Sequence, residues 1–279
     1  MALLQKAYLG ATPLFRNVDW FEDGAAILRD VSNTAAVTGS ATPHTKGSWS
    51  QLIASTSADT SLLVVLVTLV AANGTNTATL LDIGTGASGS ETAVASNIAV
   101  GNAAAATGVF GTFFAFPCKI PSGTRLSARI QSVVASKNSN VQLFTISAGD
   151  YATTPTTVDA IGADTANSKG TSMSGSSGTW TEIIASTTQA YRAVAFVASA
   201  HSNDTAQINV NFDIGTGSSG SETIIGSARN VYTSTEISAT LAPATCLFGA
   251  NLPAGTRLAV RHNIASNPDR YGVTLIGIP

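Results

Sequence analysis

The chain has 279 residues, of which 44% are hydrophobic and only 11% charged, with a formal net charge of -2. That length suggests about two domains, and a near-neutral chain with no basic cluster gives no electrostatic reason to bind nucleic acid or an acidic membrane. With so few charges the surface falls to Ser, Thr, Asn and Gly, so apolar residues must be well buried or covered by neighbours, which points to assembly.

The first segment, 1–46, starts Met1-Ala2-Leu3-Leu4-Gln5-Lys6 and lacks the basic stretch, apolar core and small-residue cleavage site of a secretory signal. Its stretch Trp20-Phe21-Glu22-Asp23-Gly24-Ala25-Ala26-Ile27-Leu28-Arg29-Asp30-Val31 mixes aromatics with a short amphipathic run. It reads as an extended N-terminal arm outside the core, with Trp20, Phe21, Ile27 and Leu28 as candidate partner-anchoring residues.

From 47 onward the chain repeats itself. Gly47-Ser48-Trp49-Ser50-Gln51-Leu52-Ile53-Ala54-Ser55-Thr56 matches Gly178-Thr179-Trp180-Thr181-Glu182-Ile183-Ile184-Ala185-Ser186-Thr187. Asp82-Ile-Gly-Thr-Gly returns at Asp213, and Ile120-Pro-Ser-Gly-Thr-Arg-Leu-Ser-Ala-Arg129 returns as Leu252-Pro-Ala-Gly-Thr-Arg-Leu-Ala-Val-Arg261. A repeat of about a hundred residues is the size of a small domain, longer than a solenoid unit. The expected organisation is an arm at 1–46, a β-sandwich at 47–148, a linker at 149–176 and a second β-sandwich at 177–279.

Within each copy, runs rich in Val, Ile, Thr and Phe are punctuated by Gly, Asn, Ser and Pro, which predicts strands. In the first they are 50–55, 61–71, 77–83, 92–96, 112–120, 125–135 and 141–146. In the second they are 181–186, 193–200, 207–214, 223–227, 244–250, 257–264 and 272–278. The run Leu62 to Val70 is about half the length that crosses a bilayer and reads as a buried strand. The fold class is therefore all-β, two tandem jelly-roll-like β-sandwich domains from an internal duplication, with an immunoglobulin-like topology as the alternative.

Gly84-x-Gly86-x-x-Gly89 and Gly215-x-Gly217-x-x-Gly220 have the glycine spacing of a dinucleotide-binding turn. That fingerprint needs a helix after the turn to face the pyrophosphate. The residues after the two turns, Ser90-Glu91-Thr92-Ala93-Val94 and Ser221-Glu222-Thr223-Ile224-Ile225, have no helical spacing, so both read as strand-turn-strand. The flanking acids Asp82, Glu91, Asp213 and Glu222 read as carboxylates accepting N–H bonds in their own turn, with a hard-cation site as the alternative. His44, His201 and His262 have no metal-ligand spacing, and no Ser sits in a nucleophile elbow. Cys118 and Cys246 occupy unmatched positions and read as free buried thiols. No cofactor, metal or catalytic residue is expected, and the chain is not expected to be an enzyme.

Trp49 and Trp180 read as core plugs, with sugar platforms as the alternative, and Tyr151, Tyr191, Tyr232 and Tyr271 as candidate sugar-facing aromatics. Arg125, Arg129, Arg257 and Arg261 are candidate contacts to ligand carboxylates or phosphates, or to another subunit. They are also matched in number by the four acids, and pairing with those acids is the simpler expectation.

The combination Asp-Ile-Gly-x-Gly-x-x-Gly-Ser-Glu-Thr at 82–92 and 213–223, followed by Ile/Leu-Pro-Ser/Ala-Gly-Thr-Arg-Leu-x-x-Arg at 120–129 and 252–261, resembles virion proteins of tailed bacteriophages. It is similar also to accessory components of gene transfer agents, including head spikes. The resemblance covers both repeats and leaves the arm unexplained. It implies a structural protein on the exterior of a phage-type particle, decorating the capsid or forming a head spike. The alternative is a tail-fibre or spike adhesin binding host surface polysaccharide through Tyr232 and Tyr271. The expected partners are other virion proteins, capsid or tail, and a host glycan for the adhesin; the chain itself is expected to form a homo-oligomer. The expected location is the virion, assembled in the host cytoplasm, with the arm as anchor and the second domain outward.

Overall fold

The computed structural model describes residues 27–69, 78–100, 112–147, 154–173, 176–200, 208–232, 246–263 and 271–279, all of them strands, turns and loops without a helix. The first sandwich is built from β1 (Ile27–Val31), β2 (Ala35–Thr38), β3 (Ser50–Ile53), β4 (Thr60–Leu69), β5 (Thr79–Thr85), β6 (Thr92–Ala99), β7 (Thr112–Ile120), β8 (Leu126–Ser132) and β9 (Asn138–Ser147). The strands of the second are β10 (Asp159–Ile161), β11 (Ala163–Asp164), β12 (Lys169–Ser172), β13 (Trp180–Ile184), β14 (Tyr191–Ala200), β15 (Ile208–Thr216), β16 (Thr223–Tyr232), β17 (Cys246–Leu252), β18 (Leu258–His262) and β19 (Tyr271–Ile278).

Each sandwich has the same strand order. One sheet of the first runs β1-β9-β4-β7, with β2 also on β9, and the other runs β3-β8-β5-β6. In the second, β19-β14-β17 carries β10 and β12 on the free side of β19, and the opposing sheet is β13-β18-β15-β16. All pairings are antiparallel. The consecutive strands β3 and β4, like β13 and β14, fall in opposite sheets, whereas an immunoglobulin sandwich keeps its first two strands together. The order is that of a jelly roll with two interlocked Greek keys.

The structure redraws the boundaries. β1 and β2 lie within 1–46, yet they pair with β9 and belong to the first sandwich. β10, β11 and β12 lie within 149–176, yet they complete the second sandwich on β19. Each set supplies the strand that opens the jelly roll, so the duplication reaches further than the matching letters. The strands are short, and β1 has a register shift between Leu28 and Asp30 that breaks alternation. Short strands such as Lys169-Gly-Thr-Ser172 are mostly polar and so carry no apolar signature.

Alternation elsewhere sorts residues cleanly. Leu63, Val65 and Val67 of β4 enter the first core with Phe114, Phe116, Val141 and Leu143. Val194, Phe196, Phe212, Val260 and Leu275 fill the second, where the Phe196 and Phe212 rings sit 4.9 Å apart. The other face of β14 and β19 is also buried: Ala193, Ala195, Val197, Ile276 and Ile278 pack with Val94 and Ile98 of the first sandwich. The two domains thus share apolar packing.

Polar contacts fix the junction. The Val158 amide donates to the Val94 carbonyl at 2.9 Å and the Lys119 amide to Pro155 at 2.7 Å. The Ala99 amide donates to Thr274 Oγ1 at 3.2 Å. On the far side of the junction His44 Nδ1 meets Ser168 Oγ at 3.0 Å, and Gln131 donates to the Thr165 carbonyl. The segment expected as a loose linker is therefore held between two sandwiches.

A shared core predicts coupled unfolding. Ile276, with no exposed surface, touches the first sandwich while lying in the second, so Ile276→Ala should cost about 2–5 kcal/mol. Calorimetry should show one cooperative transition in which both sandwiches melt together; two separated transitions, with Ile276→Ala shifting one alone, would contradict the coupling.

Candidate functional site

The outer face of the β3-β8-β5-β6 sheet, and of its counterpart β13-β18-β15-β16, gathers the residues that the sequence singles out. Ile83 and Leu81 point into the core, so Asp82 and Gly84 point out. Asp82 stands opposite Arg129, and Asp213 opposite Arg261. The expected strand-turn-strand is present, since β5 and β6 are the arms of a hairpin, as are β15 and β16.

The three glycines have separate tasks in that hairpin. A Cβ on Gly84 would lie 2.7 Å from the Trp49 ring, and one on Gly215 would lie 2.6 Å from Trp180. Gly86 and Gly217 take φ of +114° and +110° while Gly89 and Gly220 both take +83°, a region that side chains disfavour. The spacing that mimics a nucleotide fingerprint records one aromatic contact and two left-handed turn positions.

The first charged group locks the turn to the sheet. Glu91 Oε2 accepts the Gly89 amide at 2.8 Å, while Oε1 takes Arg125 Nη1 at 2.7 Å. Arg125 also donates to Gln51 Oε1 at 2.8 Å, Ser127 Oγ at 2.8 Å and the Gly86 carbonyl at 3.2 Å. The second copy repeats this with Glu222 on the Gly220 amide at 3.0 Å and on Arg257 at 2.9 Å, Arg257 reaching Glu182 at 2.7 Å and Gly217 at 3.0 Å. Burial alone would push the Glu91 carboxyl up, but the Arg125 guanidinium and the backbone N–H groups outweigh it and hold it below the ordinary carboxylate value. Glu222 is held down in the same way, against its burial, by backbone N–H groups and Arg257.

The second group stacks. The Arg129 guanidinium lies 4.4 Å from the Trp49 ring centroid and donates to Asp82 Oδ2 at 2.8 Å. Arg261 lies 4.8 Å from Trp180 and donates to Asp213 Oδ2 at 2.8 Å. Each tryptophan is half-buried, clamped between a glycine backbone and a cation. This is packing at the sheet surface, neither a plug in the core nor an open sugar platform.

The copies differ at the acid. Asp82 is 1% exposed and receives Lys46 Nζ at 2.5 Å and the Asn97 amide at 2.8 Å in addition to Arg129. Asn97 reaches this position through a bulge at φ 58°. Asp213 is 25% exposed on its side chain and receives only Ser227 Oγ besides Arg261 among its described partners. Lys46 and Asn97 carry no signal in the sequence because nothing in the second copy matches them; Gln51 and Glu182 are visible as matched positions two residues beyond each tryptophan.

Thr56 and Thr187 brace the Pro-x-Gly-Thr-Arg turns. Thr56 Oγ1 donates to the Pro121 carbonyl at 2.7 Å and accepts the Thr124 amide at 3.0 Å, and Thr187 does the same with Pro253 and Thr256 at 3.2 and 3.1 Å. Both repeated motifs therefore end on the same sheet, one at each side of the arginines.

The four arginines, expected as ligand or intersubunit contacts or as partners of the acids, meet the acids. Tyr191 is buried, and its hydroxyl donates to Asp159 at 2.7 Å, so it is not a sugar-facing aromatic. Tyr232 and Tyr271 end β16 and begin β19, but their side chains, like Tyr151, Trp20 and Phe21, lie outside the described residues. Leu28 is 51% exposed on β1. Cys118 is a buried free thiol pushed up to about 12 by burial. Among the described residues no three acidic, His or Cys side chains gather to hold a metal ion.

No protein-family model matches the chain, and no curated protein matches it. Among the solved structures to which the chain is similar are three at low identity. The STIV MCP is 11% identical over 89% of this chain and 96% of its own, with a TM-score of 0.38. The CBM22-1-CBM22-2 tandem domain of Paenibacillus barcinonensis Xyn10C is 10% identical over 98% and 99%, with a TM-score of 0.21. The PBSX exported protein XepA is 12% identical over 90% and 86%, with a TM-score of 0.24.

The geometry predicts two outcomes. Gly84→Ala or Gly215→Ala should each lower stability by about 1–3 kcal/mol by forcing the tryptophan off its seat; an unchanged thermal midpoint would show that the ring moves freely. Because the folded Glu91 and Glu222 values lie below the unfolded value of about 4.3, their contribution is complete above that pH and lost as pH falls through the folded values. The midpoint should drop on acidification below about pH 4.3, and a Glu91→Gln/Glu222→Gln double variant should start lower and drop less steeply.

Proposed function

We propose that this chain is a structural, non-enzymatic protein on the exterior of a phage-type particle, decorating the capsid or forming a head spike. The observation that carries this reading is the duplicated fate of its charges. In both copies the arginines and acids that best fit a binding or catalytic pattern are consumed in bracing a hairpin against its own sheet. A chain with so few charges has placed them where they stiffen a module. The likeness of the same two motifs to tailed-phage and gene transfer agent virion proteins supports the location. The shared apolar junction between the sandwiches also suits a part that must keep its shape under load.

The anchor is shorter than the segment 1–46. Removing all of 1–46 would strip β1 and β2 from the first sheet, so an anchor separable from the fold ends at residue 26.

Electron cryomicroscopy of purified particles tests the assignment. Density for the paired sandwiches arrayed over the shell lattice or clustered on head vertices is the expected result. Copies confined to the tail tip would favour the adhesin, and absence from particles would sink both. A chain lacking residues 1–26 should fold yet fail to join particles; incorporation at the normal level would refute the anchor.

A further inference from the structure

Two apolar rows cross the outer face of the β1-β9-β4-β7 sheet. Leu28, Ile146 and Leu62 form one cross-strand row, and Val31, Phe144, Val64 and Ala115 form the next. Gln142 and Leu66 begin a third. None of these residues is charged. Leu28 and Val31 are 51% and 49% exposed, while Leu62, Leu66, Phe144 and Ile146 are half-buried. Among the described residues no element packs over them.

The second sandwich shows what such a face is for. Its equivalent rows are Ala160, Ile276 and Ala195, with Ile278 and Ala193 beside them. Those residues lie under the β6 side of the first sandwich, with Ala193, Ala195 and Ile276 at 0% exposure and Ile278 at 1%. Among the described residues, one and the same surface of the duplicated unit is therefore covered in one copy and left uncovered in the other.

The covering edge is duplicated as well. Val94, which packs at the junction, is 6% exposed. Its counterpart Ile225 on β16 is half-buried, and the neighbouring Ile224, opposite Gly215 as Ala93 is opposite Gly84, is 46% exposed. Arg229 stands opposite Asn211 where Ala99 stands opposite Leu80, making this the more polar of the two edges. Among its described residues each chain thus carries one face and one edge that no other element covers, the counterparts of a contact it already makes internally.

We propose that a second copy of this chain docks its β16 edge on the outer face of the β1-β9-β4-β7 sheet, repeating between chains the contact that joins the sandwiches within one. The interface is heterologous, with different surfaces on the two partners, so it propagates until a rotation closes it into a ring. Such assembly depends on the duplicated geometry alone and stands independently of the particle assignment.

Analytical ultracentrifugation of the purified full chain at micromolar concentration tests it, with thermal melts confirming that each variant folds. The wild-type chain should sediment as an oligomer. A Leu28→Asp/Val31→Asp variant loses the face, and an Ile224→Asp variant weakens the edge; each alone should shift assembly at least tenfold toward monomer. Mixed together they should form a heterodimer, since the first keeps its edge and the second its face. A monomeric wild-type chain overturns the proposal, as would happen if residues 1–26 of the same chain covered the face. Assembly unaffected by Leu28→Asp/Val31→Asp also overturns it. So does assembly that responds to Leu28→Asp/Val31→Asp but not to Ile224→Asp, which would mean face-to-face packing.

Discussion

The β14–β19 ladder is buried on both of its faces, and much of the molecule is arranged around that constraint. A strand pair with water on neither side is apolar at nearly every position, which is why Ala193 to Ala198 is an unbroken apolar run and Val273 to Ile278 carries a single polar residue, Thr274, whose hydroxyl is used at the junction. One set of side chains closes the second core and the other set meets the first sandwich. On the side facing the neighbour, Ala193 and Ala195 of β14 let a sheet edge approach closely between the larger Val197, Ile276 and Ile278. The tandem is consequently a single body with an internal seam.

Against that seam the hydrophilic half of each sandwich plays a complementary part. The outer face of the second sheet meets the other sandwich at Gln131, which donates to the Thr165 carbonyl, while around the tryptophans its order comes from its own side chains. Trp49 over Gly84 and Trp180 over Gly215 supply apolar contact there, each capped by an arginine whose charge is answered by an aspartate one strand away. Partly exposed pairs are individually weak. Here each guanidinium also stacks on an aromatic ring or ties down a turn carbonyl, so loss of one partner disturbs several contacts at once.

How much of this was legible depended on whether a residue answered to its own repeat. The all-β class, the duplication, the hairpins and the pairing of Arg125, Arg129, Arg257 and Arg261 with four matched acids were all written twice in the sequence, and each copy vouched for the other. What appeared once was missed. Lys46 and Asn97 belong to the first copy alone, and no local pattern announces that a lysine before a tryptophan will reach an aspartate several strands away in space. The opening strands were lost for another reason: β1 and β10 lie toward sheet edges, where half the hydrogen bonds and few of the side chains are constrained, so the two copies drifted until no common spelling survived. Jelly roll and immunoglobulin sandwich separate only on strand order, which depends on contacts far apart in sequence.

The pairing of the basic side chains has a consequence for survival outside a cell. A digestive enzyme such as trypsin must draw about a dozen residues into an extended, accessible form around a lysine or arginine, and loop tips are where that is easiest. Arg129 and Arg261 sit within paired strands, Arg125 and Arg257 immediately before them, and Lys46 on a bridge to Gln131, each tethered through its charge to a neighbouring segment. The turns themselves, Gly86 to Gly89 and Gly217 to Gly220, are built from glycine, serine and alanine and offer such an enzyme nothing to recognise. A fold that spends these cations on holding sheets together thereby removes the bonds beside them from easy reach.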